Sequence, residues 1–160
     1  MALDIQIDKP FGATVPAELL ERVAAETLAF LTVGEEVEIG VLVTGDKTVR
    51  ELNRQYRGLD ETTDVLAFAL RDAAEPFTLP PGVPSQMGEV VISYPQAERQ
   101  AREAGNPLER EICLLLIHGL LHLFGHDHEE PEEEREMFAL QASILERVFP
   151  PGSPGTSSAS

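Results

Sequence analysis

Three features are scarce or missing in this sequence of 160 residues: cysteine, long apolar runs and basic charge. Its single cysteine, Cys113, excludes an internal disulfide framework and is consistent with a reducing compartment. No apolar run approaches the roughly 18 residues that a membrane-spanning helix needs. The opening MALDIQIDKP has no basic segment followed by an apolar stretch, so we expect no signal peptide. Together these absences predict a soluble, cytoplasmic protein.

The scarcity of basic residues limits the choice of partners. Twelve Lys and Arg residues stand against 28 Asp and Glu residues, for a formal net charge of −16 at pH 7. Such a charge repels polyanions and disfavours loose binding to nucleic acid. A function on RNA therefore requires a local concentration of basic residues.

The hydrophobic pattern predicts a mixture of strands and helices. Period-two alternation and short apolar runs predict four strands, at residues 2–7, 36–44, 64–70 and 88–94. Helical spacing and capping residues predict five helices, which begin near Pro16, Asp46, Pro95, Asn106 and Pro131. The predicted fold class is α+β: a single domain over residues 1–149, with helices covering a small mixed sheet of about four strands. The Pro-, Gly- and Ser-rich tail at 150–160 is expected to be disordered.

The fourth predicted helix is the most apolar of the five. Asn106 suits its N-cap, Pro107 its first position, and Glu109 completes a capping box. Residues 112–124 are apolar almost all round, and Gly125 suits the position after the C-cap. This pattern predicts a helix buried at the centre of the fold.

All four histidines of the chain lie in one window, HGLLHLFGHDH, at residues 118–128. His118 and His122 are four residues apart and share one helix face, and His128 can return as a third ligand after the helix ends. Three imidazoles leave one position of a tetrahedral zinc ion open, which is typical of catalytic sites. His126 is either an exposed loop residue, which we favour, or a fourth ligand that closes the site. Asp127 either orients a ligand or caps the last helix.

The spacing of these histidines also matches metzincin proteases, apart from one residue. Metzincins place a Glu directly after the first His, as the base that activates water. This sequence has Gly119 there. A peptidase is therefore disfavoured, although a base from elsewhere in the fold would restore it.

Three segments resemble the YbeY family, the bacterial rRNA maturation endoribonucleases. HGLLHLFGHDH resembles the family signature, in which Gly follows the first His. LNRQYRGLDETTDVLAFAL (52–70) and MGEVVIS (87–93) resemble two further motifs in the same order, so that the resemblance covers roughly residues 36–145. The chain departs from the family pattern at Ala67, where Ser is usual, and at Glu89, where Asp is usual.

The resemblance implies a zinc ion held by His118, His122 and His128, and hydrolysis of single-stranded RNA. It further implies roles in maturation of the 3′ end of 16S rRNA and in ribosome quality control, with the small ribosomal subunit as a partner. We expect neither DNA nor a membrane as a partner. The family's functional arginine corresponds to Arg57. A bound zinc would activate water, or a ribose 2′-hydroxyl would attack the phosphorus, while zinc and Arg57 stabilise the growing negative charge.

The second predicted helix supplies a candidate RNA surface. Four of the twelve basic residues fall within about a quarter of its circumference: Lys47, Arg50, Arg54 and Arg57. We call this set the basic stripe; its alternative interpretation is an ordinary solvated face. Val49, Leu52 and Tyr56 lie opposite and are expected to face the core.

Two alternatives to a nuclease remain open from the sequence. One is a zinc peptidase. The other is a non-enzymatic ribosome-assembly factor whose zinc is structural because His126 or a carboxylate completes its coordination. For the nuclease, the charge of −16 predicts weak binding to free RNA and reliance on the small ribosomal subunit.

Overall fold

The computed structural model describes residues 2–12, 15–31, 37–69, 86–124 and 130–148. The four strands are β1 (Ala2–Ile7), β2 (Val37–Thr44), β3 (Val65–Ala69) and β4 (Gln86–Ser93). The five helices are α1 (Ala17–Phe30), α2 (Asp46–Arg57), α3 (Tyr94–Ala104), α4 (Leu108–Leu123) and α5 (Pro131–Val148). A short 3-10 turn at Lys9–Phe11 follows β1.

The strands form one mixed sheet in the order β1-β2-β4-β3. β1 and β2 pair in parallel, as do β2 and β4, whereas β3 pairs antiparallel with β4. Parallel strands require a crossover connection. Helix α1 forms the crossover from β1 to β2, and α2 together with β3 forms the connection from β2 to β4. The predicted α+β class, with a small mixed sheet of four strands, is confirmed.

The two faces of the sheet are covered unequally. Successive residues of a strand point to opposite faces, and in β4 this separates Val90 and Ile92 from Val91. Val90 and Ile92 belong to the main core with α1, α3, α4 and α5. Val91 packs in a smaller cluster with Val49 of α2 and Leu66 of β3. Helix α2 therefore lies on one face of the sheet and α4 on the other.

Helix α4 is the centre of the main core. It packs against α1, α3 and α5 as well as β3 and β4, and most of its apolar residues are buried. Cys113 is buried among them. The predicted central, buried helix is confirmed.

Two predicted helix caps are wrong. Gly45 occupies the N-cap of α2, and the carboxylate of Asp46 instead accepts hydrogen bonds from Ser93 Oγ at 2.7 Å and Arg99 Nη2 at 2.9 Å. Burial favours a higher pKa for Asp46, but the bonds from Ser93 and Arg99 outweigh it and lower that pKa below its ordinary value. Asp46 thus joins α2 to the junction of β4 and α3 rather than capping its own helix.

The second wrong cap is Asn106. Pro107 occupies the N-cap of α4, so neither the Asn106 cap nor its capping box with Glu109 forms. The Asn106 N–H instead donates to the Ala101 carbonyl at 2.9 Å and closes α3. This closure follows Gly105, whose φ of 70° provides the left-handed residue that ends α3.

Several predicted features lie outside the described residues. These are the end of α4 at Gly125, most of the Pro-rich loop between β3 and β4, and the tail at 150–160. Among the described helices, none is both long and apolar enough to cross a bilayer.

Candidate active site

The last two turns of α4 carry the first two predicted metal ligands. The rings of His118 and His122 lie nearly parallel, at an interplanar angle of 7° and with 6.5 Å between their centroids. His118 is half-buried and His122 is exposed. The α-helical spacing of four residues therefore brings the two imidazoles to one face, as predicted.

A buried glutamine fixes the orientation of His118. Gln141 of α5 is 6% exposed, and its Oε1 lies 2.6 Å from His118 Nδ1. Since an amide oxygen accepts and cannot donate, Nδ1 carries the proton of this bond. The lone pair of the neutral imidazole is then on Nε2, the nitrogen on the far side of the ring.

Gly119 allows α4 to lie close to the sheet. A Cβ at this position would lie 2.6 Å from Val90 Cγ1 and 3.1 Å from Val65 Cγ2. Position 119 therefore faces β3 and β4 rather than the side of α4 that carries the histidines. Gly119 supplies no carboxylate, and the packing against Val90 and Val65 leaves no room for one at this position.

The donor set fits a zinc ion. Imidazole nitrogen is a ligand that zinc takes in proteins, and α4 offers two imidazoles on one face, with 6.5 Å between their centroids. Within the described residues, no group of three or more His, Cys, Asp or Glu side chains forms a metal cluster. The predicted third ligand, His128, lies outside them, as do His126 and Asp127.

Arg57 ends α2 on the other face of the sheet. Its neighbour Tyr56 stacks on Phe68 near the end of β3, with 4.5 Å between the ring centroids. On the opposite face, Leu123 of α4 lies against Gly88, the residue that pairs with Ala69 of β3. The C-terminal ends of α2 and α4 therefore lie near the same end of β3, on opposite faces of the sheet.

All four members of the basic stripe are exposed, but they are not equivalent. Arg50 forms two bonds with the Asp60 carboxylate, at 2.9 and 3.2 Å. The Arg50 guanidinium lowers the pKa of Asp60 through these bonds and its charge. One cation of the stripe is thus already paired with a carboxylate.

The N-terminal half of α2 borders an open cleft of about 380 Å³. Three acidic and two basic residues line it, together with a threonine: Asp46, Glu61, Asp60, Lys47, Arg50 and Thr62. This mixture of charges is a poor site for phosphate. The C-terminal half of the stripe, Arg54 and Arg57, is the better candidate for contact with RNA.

Tyr56 departs from the prediction that it faces the core. Its side chain is 53% exposed, although one face of its ring rests on Phe68. Val49 is buried and Leu52 partly buried, as predicted. The position that the prediction missed is Asn53, which is 2% exposed and donates from Nδ2 to the Glu61 carbonyl at 2.9 Å.

Comparison with known proteins identifies the family. A family model described as Endoribonuclease YbeY matches residues 6–149. The chain belongs to the YbeY family. The resemblance carried by the histidine window and the two other motifs is confirmed.

Individual relatives of the YbeY family support the same assignment. The chain is 40% identical to an Endoribonuclease YbeY of Dehalococcoides mccartyi over 155 residues, which covers 92% of this chain and 93% of the relative. It is 43% identical to an Endoribonuclease YbeY of Roseiflexus castenholzii over 144 residues, covering 89% and 90%. The solution structure of a Thermotoga maritima protein aligns with a TM-score of 0.59 and 30% identity over 92% of this chain and 89% of that one.

Glu89, one of the two departures from the YbeY motifs, lies on the face of the sheet away from the histidines. Gly88 and Val90 on either side of it point to α4, so Glu89 points the other way. Its Cγ would lie 3.6 Å from a Cβ at Gly40 of β2. Glu89 is therefore on the face that carries α2 and Arg57.

Proposed function

We propose that this YbeY-family endoribonuclease binds one zinc ion through His118, His122 and His128 and cleaves single-stranded RNA. We further propose that it matures the 3′ end of 16S rRNA and serves in ribosome quality control, acting in the cytoplasm on the small ribosomal subunit. The observation that supports the metal is the parallel pair of imidazoles on α4, one of which is held through Nδ1 by Gln141. The family supports RNA as the substrate.

The chemistry divides between the metal and the chain. A bound zinc supplies Lewis acidity, which polarises a phosphoryl oxygen and lowers the pKa of water in its coordination sphere to about 7. The guanidinium of Arg57 is a planar cation that can form two hydrogen bonds to a phosphate. Its part is to stabilise the negative charge that grows on the phosphoryl oxygens during cleavage.

The position of β3 supports a path for the RNA around one end of that strand. Arg54 and Arg57 are exposed on one face of the sheet, the histidines lie on the other, and the end of β3 separates them. A flexible single strand can cross this edge and contact both. A rigid duplex bends only at considerable cost, which favours single-stranded substrates.

Cleavage assays with histidine variants test the metal and the reaction together. We expect a single-stranded RNA to be cut, its duplex form to be spared, and cleavage to stop on chelation and return with zinc. His118→Ala and His128→Ala should abolish cleavage, whereas His126→Ala is the matched control that keeps both zinc and activity. Loss of zinc and activity in His126→Ala, or full activity in His118→Ala, would contradict the ligand set.

The ribosomal partner is tested separately. Because the net charge is −16, free RNA should bind weakly at physiological salt. We expect faster cleavage of 16S rRNA within the small subunit than of the same RNA stripped of protein, with the large subunit as a control. Faster cleavage of the naked RNA would remove the small subunit from the proposal.

A further inference from the structure

The face of α5 that packs into the main core contains one polar side chain. Its buried residues are Met137, Gln141, Ile144, Leu145 and Val148. A polar amide among apolar neighbours is costly unless it is hydrogen-bonded, and an aliphatic residue would fill the same space without that cost. The hydrogen bond between Gln141 Oε1 and His118 Nδ1, at 2.6 Å, offsets the cost of burying this amide.

This bond selects one of the two neutral forms of the imidazole. Free histidine in water prefers the form with its proton on Nε2. A buried amide oxygen against Nδ1 reverses that preference, because only the form with the proton on Nδ1 can donate to it. The reversed form carries its lone pair on Nε2, which is what a metal needs.

The bond also fixes the plane of the ring. His118 and Gln141 are 23 residues apart, on helices α4 and α5 that pack against each other. With Gln141 6% exposed, its side chain has little room to move. The imidazole is therefore held from a second helix as well as by its own backbone.

We propose that Gln141 is a positioning residue for the metal: it holds His118 in the form protonated on Nδ1 and directs Nε2 to the zinc. This inference rests on the proposed zinc site. Partners of this kind, which bond the outer nitrogen of a ligating histidine, typically change metal affinity by about 10–100-fold when they are removed. Gln141 is then a determinant of affinity that does not touch the metal.

Two variants separate this role from simple packing. Gln141→Leu keeps an aliphatic side chain of similar size and removes the acceptor. Gln141→Glu keeps an acceptor at the same place. A residue that only fills space would tolerate Leu better than Glu, whereas a positioning residue would tolerate Glu and lose function with Leu.

The experiment has two readouts that do not depend on RNA cleavage. The first is a long-range 1H–15N correlation spectrum of the metal-free chain, recorded at mildly alkaline pH. It reports which nitrogen of His118 carries the proton, and His118→Ala assigns its signals. The second is zinc affinity, measured by competition with a chromophoric chelator.

We expect the wild type to carry the proton on Nδ1, and Gln141→Leu to shift it towards Nε2 and bind zinc about 10–100-fold more weakly. Gln141→Glu should keep the Nδ1 proton and bind zinc at least as tightly as the wild type. A wild-type proton on Nε2, or wild-type zinc affinity in Gln141→Leu, would overturn the role of Gln141 and leave the zinc site intact. Failure of the wild type itself to bind zinc would overturn both this role and the zinc in the proposed function.

Discussion

Gly119 of α4 lies directly against Val90 of β4, so closely that a Cβ on the glycine would approach Val90 Cγ1 to 2.6 Å. Val90 is fully buried, and its β-branched side chain is stiff about χ1, so it cannot turn aside without a cost. The residue after His118 is therefore small for a reason of packing. It also sets how far the histidine-bearing end of α4 lies from the sheet.

Gly119→Ala tests this close approach. Alanine would gain about 1 kcal/mol in helix propensity, but overpacking typically costs about 1–3 kcal/mol, and the short contact to Val90 favours the upper end. We expect a net loss of about 1–2 kcal/mol in the free energy of unfolding, measured by urea denaturation with chelator present. Gly12→Ala is the control, since Gly12 is exposed with φ −65° and its Cβ would meet ordinary space. A Gly119→Ala chain as stable as the wild type would show that Val90 and Val65 shift to make room for the added methyl group.

Asp60→Asn tests whether the pairing with Arg50 limits RNA binding. The substitution releases the Arg50 guanidinium, which Asp60 holds at 2.9 Å. In a His118→Ala background that prevents cleavage, we expect tighter binding of single-stranded RNA, with a salt dependence steeper by about 0.7 for one added phosphate contact. Asp4→Asn makes the same change of charge at an exposed position on β1. Equal effects of the two substitutions would mean that net charge alone is responsible.

Arg57 and Arg54 should differ in kinetics. If Arg57 stabilises the charge of the transition state, Arg57→Ala should lower kcat by about 10²–10³-fold. Arg54→Ala should chiefly raise KM, because it removes an attraction felt equally by bound substrate and transition state. Arg22→Ala, at an exposed arginine of α1, is the control and should change neither. Full cleavage rate in Arg57→Ala would remove Arg57 from the mechanism.

Cys113 should make the fold sensitive to alkaline pH. Burial in α4 raises the pKa of its thiol from 9.0 to about 12. Below pH 9 the folded and unfolded states both keep the proton, and stability is at its full value. Between pH 9 and 12 only the unfolded thiol ionises, so stability falls by up to about 1.4 kcal/mol per pH unit.

The matched variant for that effect is Cys113→Ala. It starts from a lower stability because it leaves a small cavity, but its stability should fall less steeply above pH 9. Urea denaturation of both chains at several pH values from 8 to 10.5 measures the two slopes. Parallel slopes would show that the Cys113 thiol ionises in the folded chain as readily as in the unfolded one.

The features that the sequence predicted correctly depend on local spacing. Alternation and short apolar runs located the four strands of the described residues, and the apolar run from Ile112 located the buried helix. The spacing of His118 and His122 placed two imidazoles on one helix face because an α-helix fixes that relation by itself.

The features that it missed depend on contacts between distant parts of the chain. Gln141 bonds a histidine 23 residues away, and Asp46 bonds a serine 47 residues away in place of its own helix end. The spacing of residues within one helix or strand cannot predict either of these hydrogen bonds. A signal for Gln141 did exist, since it interrupts an otherwise apolar face of α5. Such an interruption is worth following when a histidine-bearing helix is expected to pack nearby.

A crystal structure of the zinc-loaded chain, with anomalous data at the zinc edge, tests the central claim most directly. We predict one zinc ion with three imidazole nitrogens, from His118, His122 and His128, at about 2.0–2.1 Å, and an oxygen from solvent at the fourth position. A fourth ligand from the protein, such as His126, would make the site structural. A crystal structure in which no zinc is bound to His118 and His122 would contradict the account altogether.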